Sequence, residues 1–274
     1  MDLPAPPEPL PHPVVDSHCH LDATADFSGL EPADALRRAA EVGVTRLVQV
    51  GCDVKSSRWA VAAAERWDAV VATVALHPND AARMGAGLAA GLEVIDALAA
   101  HPQVRAVGET GLDFYRTPDA KGQALQREAF AAHIAMANRR GRALVIHDRD
   151  AHAAVLDILD GESRPDRIVM HCFSGDADFA RACLDRGAFL SFAGPVTFKP
   201  NVQLREALAV TPLDRLLIET DAPYLTPVPL RGRPNASYLV PHTVRFLAST
   251  LDLELLELCR TLDANAEAAF GGSW

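Results

Sequence analysis

Two histidines near the start of the chain are the first residues whose type and spacing point to chemistry. His18 and His20 stand two positions apart, just after the apolar segment 14–16. A β-strand ending here would place both rings on one face. Two imidazoles on one face can bind a single cation such as zinc, iron, nickel or copper. The pair alone is a weak indication, so the interpretation as ligands requires further donors.

Further donors follow other apolar segments along the chain. They are His77 after 70–76, Glu109 after 104–108, His147 after 143–146, His171 after 167–170 and Asp221 after 215–218. Charged groups gathered in a cleft are costly to leave unpaired, and metal ions satisfy many of them at once. The pattern therefore predicts a metal centre built from distant parts of the chain.

The number of donors favours two cations over one. We expect His18, His20 and Asp221 to bind the first ion and His147 and His171 to bind the second. Glu109 follows the run that lies between them in order, so it is predicted to bridge the two. A pair of ions can activate water and stabilise the attacking and leaving oxygens of a displacement. The predicted chemistry is hydrolysis.

The elements that must position these residues alternate between short apolar runs and longer alanine-rich helical patterns. Eight runs are predicted as strands: 14–16, 46–50, 70–76, 104–108, 143–146, 167–170, 188–192 and 215–218. Helices are predicted at 32–42, 56–67, 87–100, 122–140, 150–159, 176–186 and 202–209, with terminal helices at 241–250, 253–261 and 264–270. The alternation predicts an α/β chain folded as one (β/α)8 TIM barrel over residues 13–274. A doubly wound open sheet is the competing architecture.

Composition restricts the classes of function. Apolar residues make up 49% and charged residues 23% of the 274 residues, as in an ordinary globular protein. A net charge of -10 argues against a broadly basic nucleic-acid coat but permits an enzyme that grips a few phosphates. Five cysteines without a Cys-x-x-Cys pair and no segment of transmembrane length predict a cytoplasmic protein without membrane contact. Residues 1–12 are rich in proline and predicted to be a mobile tail.

These residues together resemble the TatD-related deoxyribonucleases, a family of metal-dependent, amidohydrolase-like barrels. The matching motifs are DSHCHLD at 16–22, HP at 77–78, GETGLDFYR at 108–116, IHDRDA at 146–151, HCFSG at 171–175, TFK at 197–199, ETDAPYLTP at 219–227 and NA at 265–266. The resemblance covers nearly the whole chain, and the order of the motifs makes it specific.

The resemblance implies a barrel that binds two divalent cations, zinc, magnesium or manganese, through the same six ligands. It implies hydrolysis of DNA, as single strands or from 3′ ends, with RNA as a further substrate and no obligate protein partner. Asp221 would be both ligand and general base, and Glu109 would bridge the ions. His77 would contact the scissile phosphate or its developing charge.

Residues beyond the ligand set are open to more than one interpretation. Arg149 and Lys199 each follow a predicted strand and are candidates for binding phosphate oxygens. Glu219 lies two residues before Asp221 and would either contact substrate or align the site. The loop that holds Asp113, Tyr115 and Arg116 is interpreted as packed, although it could also contact substrate. Cys19 and Cys172 are predicted by strand alternation to point away from the ions.

Two departures from the family pattern bear on the substrate. Asn79 stands where the family often has histidine, and Ala236 and Ser237 stand where Glu-Pro is common. DNA, RNA and smaller phosphodiesters therefore all stay open. The sequence also permits a lactonase, an amidohydrolase, an aminoacyl-ester hydrolase or a non-catalytic nucleic-acid scaffold. Many barrels of the broader group bridge their metals with a carboxylated lysine, so Glu109 favours the nuclease-like branch.

Overall fold

The computed structural model describes residues 3–274 and confirms the eight predicted strands. They are β1 (Val14–Cys19), β2 (Val44–Gly51), β3 (Val70–Val74), β4 (Val104–Asp113), β5 (Ala143–Arg149), β6 (Ile168–Met170), β7 (Phe189–Phe192) and β8 (Leu216–Ile218). Each strand pairs in parallel with the next in chain order. Beyond β8, Cys19 bridges to Ala222, so the sheet curls into a nearly closed barrel rather than a doubly wound open sheet.

Helices alternate with the strands around this barrel. They are α1 (Leu21–Ser28), α2 (Pro32–Glu41), α3 (Val54–Arg66), α4 (Pro78–Met84), α5 (Leu88–Ala99), α6 (Ala120–Arg140), α7 (His152–Gly161), α8 (Ala177–Leu184), α9 (Val202–Val210), α10 (Val240–Leu251) and α11 (Leu255–Phe270). No helix within residues 3–274 combines the length and apolar character that a membrane crossing requires.

Three helices differ from the sequence-based prediction. The predicted helices 253–261 and 264–270 form the single helix α11, because residues 261–264 continue the same turn and Leu262 is buried. The short helices α1 and α4 were not predicted. Both begin immediately after a histidine of the site, His20 and His77 respectively. Each is too brief to show a clear apolar period.

The lower interior of the barrel is a packed apolar core. Side chains that fill it come from every strand: Val15, Val48, Val71, Ala106, Val145, Val169, Phe189 and Leu217. The end of α11 closes this core from below, with Ala266, Ala269 and Phe270 in the same cluster. Arg46 of β2 adds ion pairs to Asp263 and Glu267 of α11. Polar side chains are thereby left to the opposite end, where parallel-barrel sites are built.

A buried carboxylate joins the ends of β1 and β8. Asp16 is fully buried and accepts hydrogen bonds from Thr220, at 2.9 Å from its backbone nitrogen and 2.6 Å from its hydroxyl. Burial raises the pKa of Asp16 to about 7, while the Thr220 hydrogen bonds act in the opposite direction. The backbone N–H of Asp221 also donates to the carbonyl of His18 at 3.0 Å. These contacts hold the end of the first strand, β1, against the segment that follows the last strand, β8.

Residues 3–12 of the segment predicted to be a mobile tail lie against the barrel, and residues 1 and 2 fall outside the described part of the chain. Leu10 is buried and its N–H donates to the carbonyl of Val42. The Tyr238 hydroxyl donates to the carbonyl of Pro4, and Arg245 donates to that of Glu8. The carbonyls of an extended proline-rich segment are free to accept such bonds, because no helix or sheet uses them.

Replacement of Phe270 tests the role of α11 as the closure of the barrel. Phe270→Ala removes a ring that is 1% exposed, so we expect unfolding to become easier by about 3–5 kcal/mol. Phe27→Ala is the matched control, because Phe27 is 49% exposed, and it should change stability by less than about 0.5 kcal/mol. Urea denaturation measures both. Equal stability of the two variants would show that α11 does not support the core.

Candidate metal centre

The residues predicted as ligands come together at the carboxyl ends of the strands. Ligand atoms lie within 4.8 Å of one another in three groups: His18, His171 and Asp221; His18, His20 and Glu109; and His77, Glu109 and His147. The strands that carry them are distant in sequence and adjacent only around the barrel. The clustering predicted from the sequence is thus present in the structure.

Glu109 lies at the centre of the cluster, and its two oxygens face different histidines. Oε1 is 2.8 Å from His147 Nδ1 and 3.1 Å from His171 Nε2. Oε2 is 3.5 Å from His18 Nε2. The carboxylate is therefore positioned between the residues assigned to the first ion and those assigned to the second.

Asp221 completes the group on the side of β1. Its Oδ1 is 3.4 Å from His20 Nε2 and 3.8 Å from His18 Nε2. The backbone of Asp221 has a φ of 55°, a left-handed conformation that costs energy in a non-glycine residue. The hydrogen bond from its N–H to His18 holds it there, and the Asn235 amide supports the preceding carbonyl of Thr220. This strain is located at the site, where it aims the carboxylate at the histidines.

Hydrogen bonds fix which ring nitrogen of two ligands is free. Nδ1 of His20 lies 3.3 Å from the carbonyl of Val50, and Nδ1 of His171 lies 2.9 Å from Glu219 Oε1. Both partners are acceptors, so each Nδ1 carries the proton. Nε2 of His20 and of His171 then faces the carboxylates of the cluster and would offer its lone pair once a cation displaces the proton that the carboxylates favour there. Such outer hydrogen bonds orient metal-binding histidines and strengthen them as ligands.

His77 has the opposite arrangement. The backbone N–H of Asn79 donates to His77 Nδ1 at 3.1 Å, so in the neutral ring the proton is on Nε2. That Nε2 is 3.3 Å from Glu109 Oε1. Although His77 falls in one of the three groups, this tautomer makes it a hydrogen-bond donor and not a ligand.

Asp113 and Asn79 form a polar connection that sequence reasoning missed. Asp113 Oδ2 accepts from the Asn79 amide at 2.9 Å and lies 3.5 Å from His147 Nε2. A proton on Nε2 leaves His147 Nδ1 free toward Glu109. The alternation of residues 109, 111 and 113 along β4 was the available signal. Gly111, with φ of 124°, permits the close pairing of β4 with β5 at this point, because an added Cβ would lie 2.1 Å from the carbonyl oxygen of His147.

The histidines of the cluster differ in the direction in which their pKa values are shifted. Burial, reinforced by the charge of His171, lowers the pKa of His18. Burial also acts to lower the pKa of His147, but hydrogen bonds to Asp113 and Glu109 outweigh it and raise that pKa to about 9. The charges of Glu219 and Glu109 similarly overcome burial at His171 and hold its pKa well above the usual value. The site is therefore strongly anionic toward any cation that replaces these protons.

A cavity of about 1590 Å³ opens above the cluster. Arg149 lines it, as the sequence predicts for a phosphate-binding residue. Lys199 is exposed and is not among the residues that line the cavity, although Pro195 and Asn201 on either side of it are. Glu219 is fully buried beneath His171, so it aligns that ring and is out of reach of a substrate. The burial of Glu219 favours the aligning role among its two predicted roles, and substrate contact by Arg149 and Lys199 stays a prediction.

The loop after β4 and the cysteines also differ in part from expectation. Asp113 is buried and is the last residue of β4 rather than part of the loop, whereas Tyr115 and Arg116 are exposed and line the cavity. Cys19 points away and its thiol faces the carbonyl of Val48, but Cys172 lines the cavity. Its backbone has left the strand conformation, with φ of 42°, so alternation no longer applies.

Cys52 is a residue of the site that sequence reasoning missed. It follows β2, a strand to which no ligand had been assigned. Its Sγ is 3.6 Å from Glu109 Oε2 and 3.9 Å from His20 Nδ1. Burial and the charge of Glu109 raise the pKa of this thiol well above its ordinary value, so it is held as the neutral thiol.

Comparison with known proteins agrees with this arrangement. The family model described as TatD related DNase matches residues 15–271. An uncharacterized metal-dependent hydrolase TatD of Mycobacterium tuberculosis is 47% identical over 269 residues, which are 95% of this chain and 99% of that protein. A 3′-5′ ssDNA/RNA exonuclease TatD of Shigella flexneri is 34% identical over 249 residues, 87% of this chain and 92% of that protein.

Solved structures give the same answer for the fold. The crystal structure of YjjV, a TatD homologue from Escherichia coli, superposes with a TM-score of 0.85 at 25% identity and covers 95% of this chain and 98% of its own. Family match, relatives and fold coincide over the segment that carries the clustered histidines and carboxylates. The chain belongs to the TatD-related DNase family of metal-dependent hydrolases.

Proposed function

We propose that this protein is a phosphodiesterase that removes nucleotides from the 3′ ends of single-stranded DNA with the help of two divalent cations. The observation that carries the proposal is the division of the Glu109 carboxylate between two sets of histidines. That division is the arrangement a bridging ligand requires. Two neighbouring cations suit displacement at phosphorus.

The residues present fit such cations. Both ring nitrogens of His18 are buried and lack a hydrogen-bond partner within residues 3–274, an arrangement that is costly without a ligand. Its lowered pKa keeps the ring neutral, with a lone pair to offer. Imidazole with carboxylate accommodates zinc, manganese or magnesium.

The proposed ligand sets follow from the neighbours of each side chain. His18, His20 and Asp221 would hold one ion, His147 and His171 the other, and Glu109 both. When bound, the cations supply Lewis acidity, activation of water and neutralisation of charge on the attacking and leaving oxygens.

The side chains around the ions have separate roles in the proposed reaction. Burial acts to raise the pKa of Asp221, but the hydrogen bond with His20 and the charge of His171 outweigh it. Asp221 is thus an ionised carboxylate at the cavity, able to orient water and accept its proton. His77 presents Nε2–H to a phosphate oxygen, and Arg149 adds positive charge. Glu219 positions His171 through its ring N–H.

Nucleic acid is favoured as the substrate by the size of the cavity and by the relatives. Pockets for small ligands occupy roughly 300–1,000 Å³, whereas this one measures about 1590 Å³. The Shigella relative is named for single-stranded DNA and RNA, which keeps RNA as a second substrate. Five free cysteines suit action in the reducing cytoplasm. Hydrolysis of lactones or aminoacyl esters, and nucleic-acid binding without turnover, are the competing functions.

Product ladders test the function directly. A short single strand labelled at its 5′ end, incubated with manganese, magnesium or zinc, should shorten progressively, and a chelator should stop the reaction. Asp221→Asn keeps the shape of the side chain but removes its ability to accept a proton, so turnover should fall by about 100-fold or more. Strand binding by that variant with normal turnover would contradict the role of Asp221. Binding without turnover by the unaltered protein would favour the non-catalytic scaffold.

Substitution of Glu109 tests the bridge. Glu109→Ala should lower the occupancy of both cations, because each loses an anionic ligand. Glu219→Gln is the comparison, since it weakens the support of His171 without removing a proposed ligand and should reduce metal affinity by about 10–100-fold. Elemental analysis after dialysis gives the number of ions per chain, and thermal melting confirms folding. Two ions retained by folded Glu109→Ala would contradict a bridging carboxylate.

The affinity for metal should depend on pH in a direction that the protonation of His147 determines. Hydrogen bonds to Asp113 and Glu109 raise the pKa of His147 to about 9, so below that pH a cation must displace a proton. Affinity should therefore weaken as pH falls, about tenfold per pH unit for each proton displaced. Calorimetric titration with manganese in two buffers of different ionisation enthalpy measures the protons released. Constant affinity between about pH 6 and 8 would contradict this competition.

A further inference from the structure

Two exposed tyrosines rim the metal cavity. Tyr115 is 62% exposed and Tyr224 is 54% exposed, and both line the opening. Tyr115 follows β4, the strand that carries Glu109, and Tyr224 lies in the segment after β8 that supplies Asp221. Aromatic rings left in water at the mouth of a cleft indicate contact with a ligand that has apolar faces.

Tyr115 is stacked on an arginine. The guanidinium carbon of Arg149 lies 4.0 Å from the centre of the Tyr115 ring. Within residues 3–274, Arg149 forms no ion pair with a carboxylate, so its charge is available to a phosphate. Stacking against the guanidinium orients the ring through a cation–π contact while most of its surface stays open.

Tyr224 is held by its backbone close to the reacting groups. Its N–H donates to the carbonyl of Asp221 at 3.0 Å, and its own carbonyl accepts from the Asn235 amide at 2.5 Å. Burial and the charge of Asp221 raise the pKa of its phenol. The ring therefore extends from a fixed backbone beside the proposed general base.

We propose that Tyr115 and Tyr224 are base-stacking residues that hold the unpaired bases next to the scissile phosphate. The inference rests on the proposed nuclease function and specifies how the substrate is recognised. Every nucleobase has a π-face, so stacking on these rings binds single strands without sequence preference. Bases paired in a duplex are not available to the rings. The geometry thus favours single strands and 3′ overhangs over blunt ends.

An abasic substrate separates stacking from other roles of the rings. The wild type, Tyr115→Ala and Tyr224→Ala are compared on a thymidine oligonucleotide and on the same strand with tetrahydrofuran in place of its last two 3′ nucleosides. Each alanine variant should lose about 5- to 150-fold in kcat/KM on the normal strand, mainly through KM. On the abasic strand the kcat/KM of the wild type should fall by a similar factor. The alanine variants should be only slightly less active than the wild type on that strand.

Matched variants define the result further. Tyr115→Phe and Tyr224→Phe keep the ring and should restore binding, whereas a role for the hydroxyl would leave them as impaired as the alanine variants. Phe27→Ala removes an exposed ring outside the cavity and should leave kcat/KM unchanged on both substrates. Equal losses on the normal and the abasic strand would overturn the proposal while leaving the nuclease function intact.

Failure of the nuclease function gives a different pattern. In that case the wild type cleaves neither strand with any of the three cations. The same comparison is then made by fluorescence anisotropy, with binding of both strands to Asp221→Asn protein that carries or lacks each tyrosine. Preference for the base-bearing strand that disappears with the tyrosines supports stacking. Equal binding of both strands by every variant overturns it.

Discussion

The buried charge of Glu109 is the constraint on which the site depends. This carboxylate is 4% exposed, and an isolated charge at such a depth would be strongly unfavourable. Burial acts to raise its pKa, yet the charges of His77 and His171 and the hydrogen bond to His147 hold that pKa well below its ordinary value. The imidazolium forms of His147 and His171, whose pKa values are raised, neutralise it. Cations bound there would supply positive charge in place of those protons.

The barrel is what makes this neutralisation possible. Parallel strands end at one rim, so Glu109 of β4 reaches His147 of β5 and His171 after β6 with one carboxylate oxygen and His18 of β1 with the other. Hydrogen bonds on the far side of the rings then determine which ring nitrogen of a histidine faces the cluster. Glu219 does so for His171 and Val50 for His20. The proline-rich start of the chain and α11 pack against other faces of the barrel, so the residues at the rim are free to form the site.

Sequence reasoning was able to predict the parts of this design that depend on chain order. Apolar runs identified the strands, and the polar residues that follow six of the eight runs predicted the cluster of candidate ligands. It missed parts that depend on hydrogen-bond geometry, such as the link from Asn79 to Asp113. It also missed Cys52, because the course of a loop after its strand is set by tertiary contacts. Continuity of α11 across residues 261–264 depended on packing against β8 and β1 in the same way.

An acidic protein that acts on an anionic polymer must localise its positive charge. The net charge is -10, yet arginines without carboxylate partners within residues 3–274 stand at the cavity, Arg149 and Arg116 among them. Their positive charge is joined by that of the cations proposed for the cluster. Positive charge placed at this opening suits a chain end that enters it, so under the proposed function an acidic barrel binds phosphates at its mouth without a basic coat elsewhere.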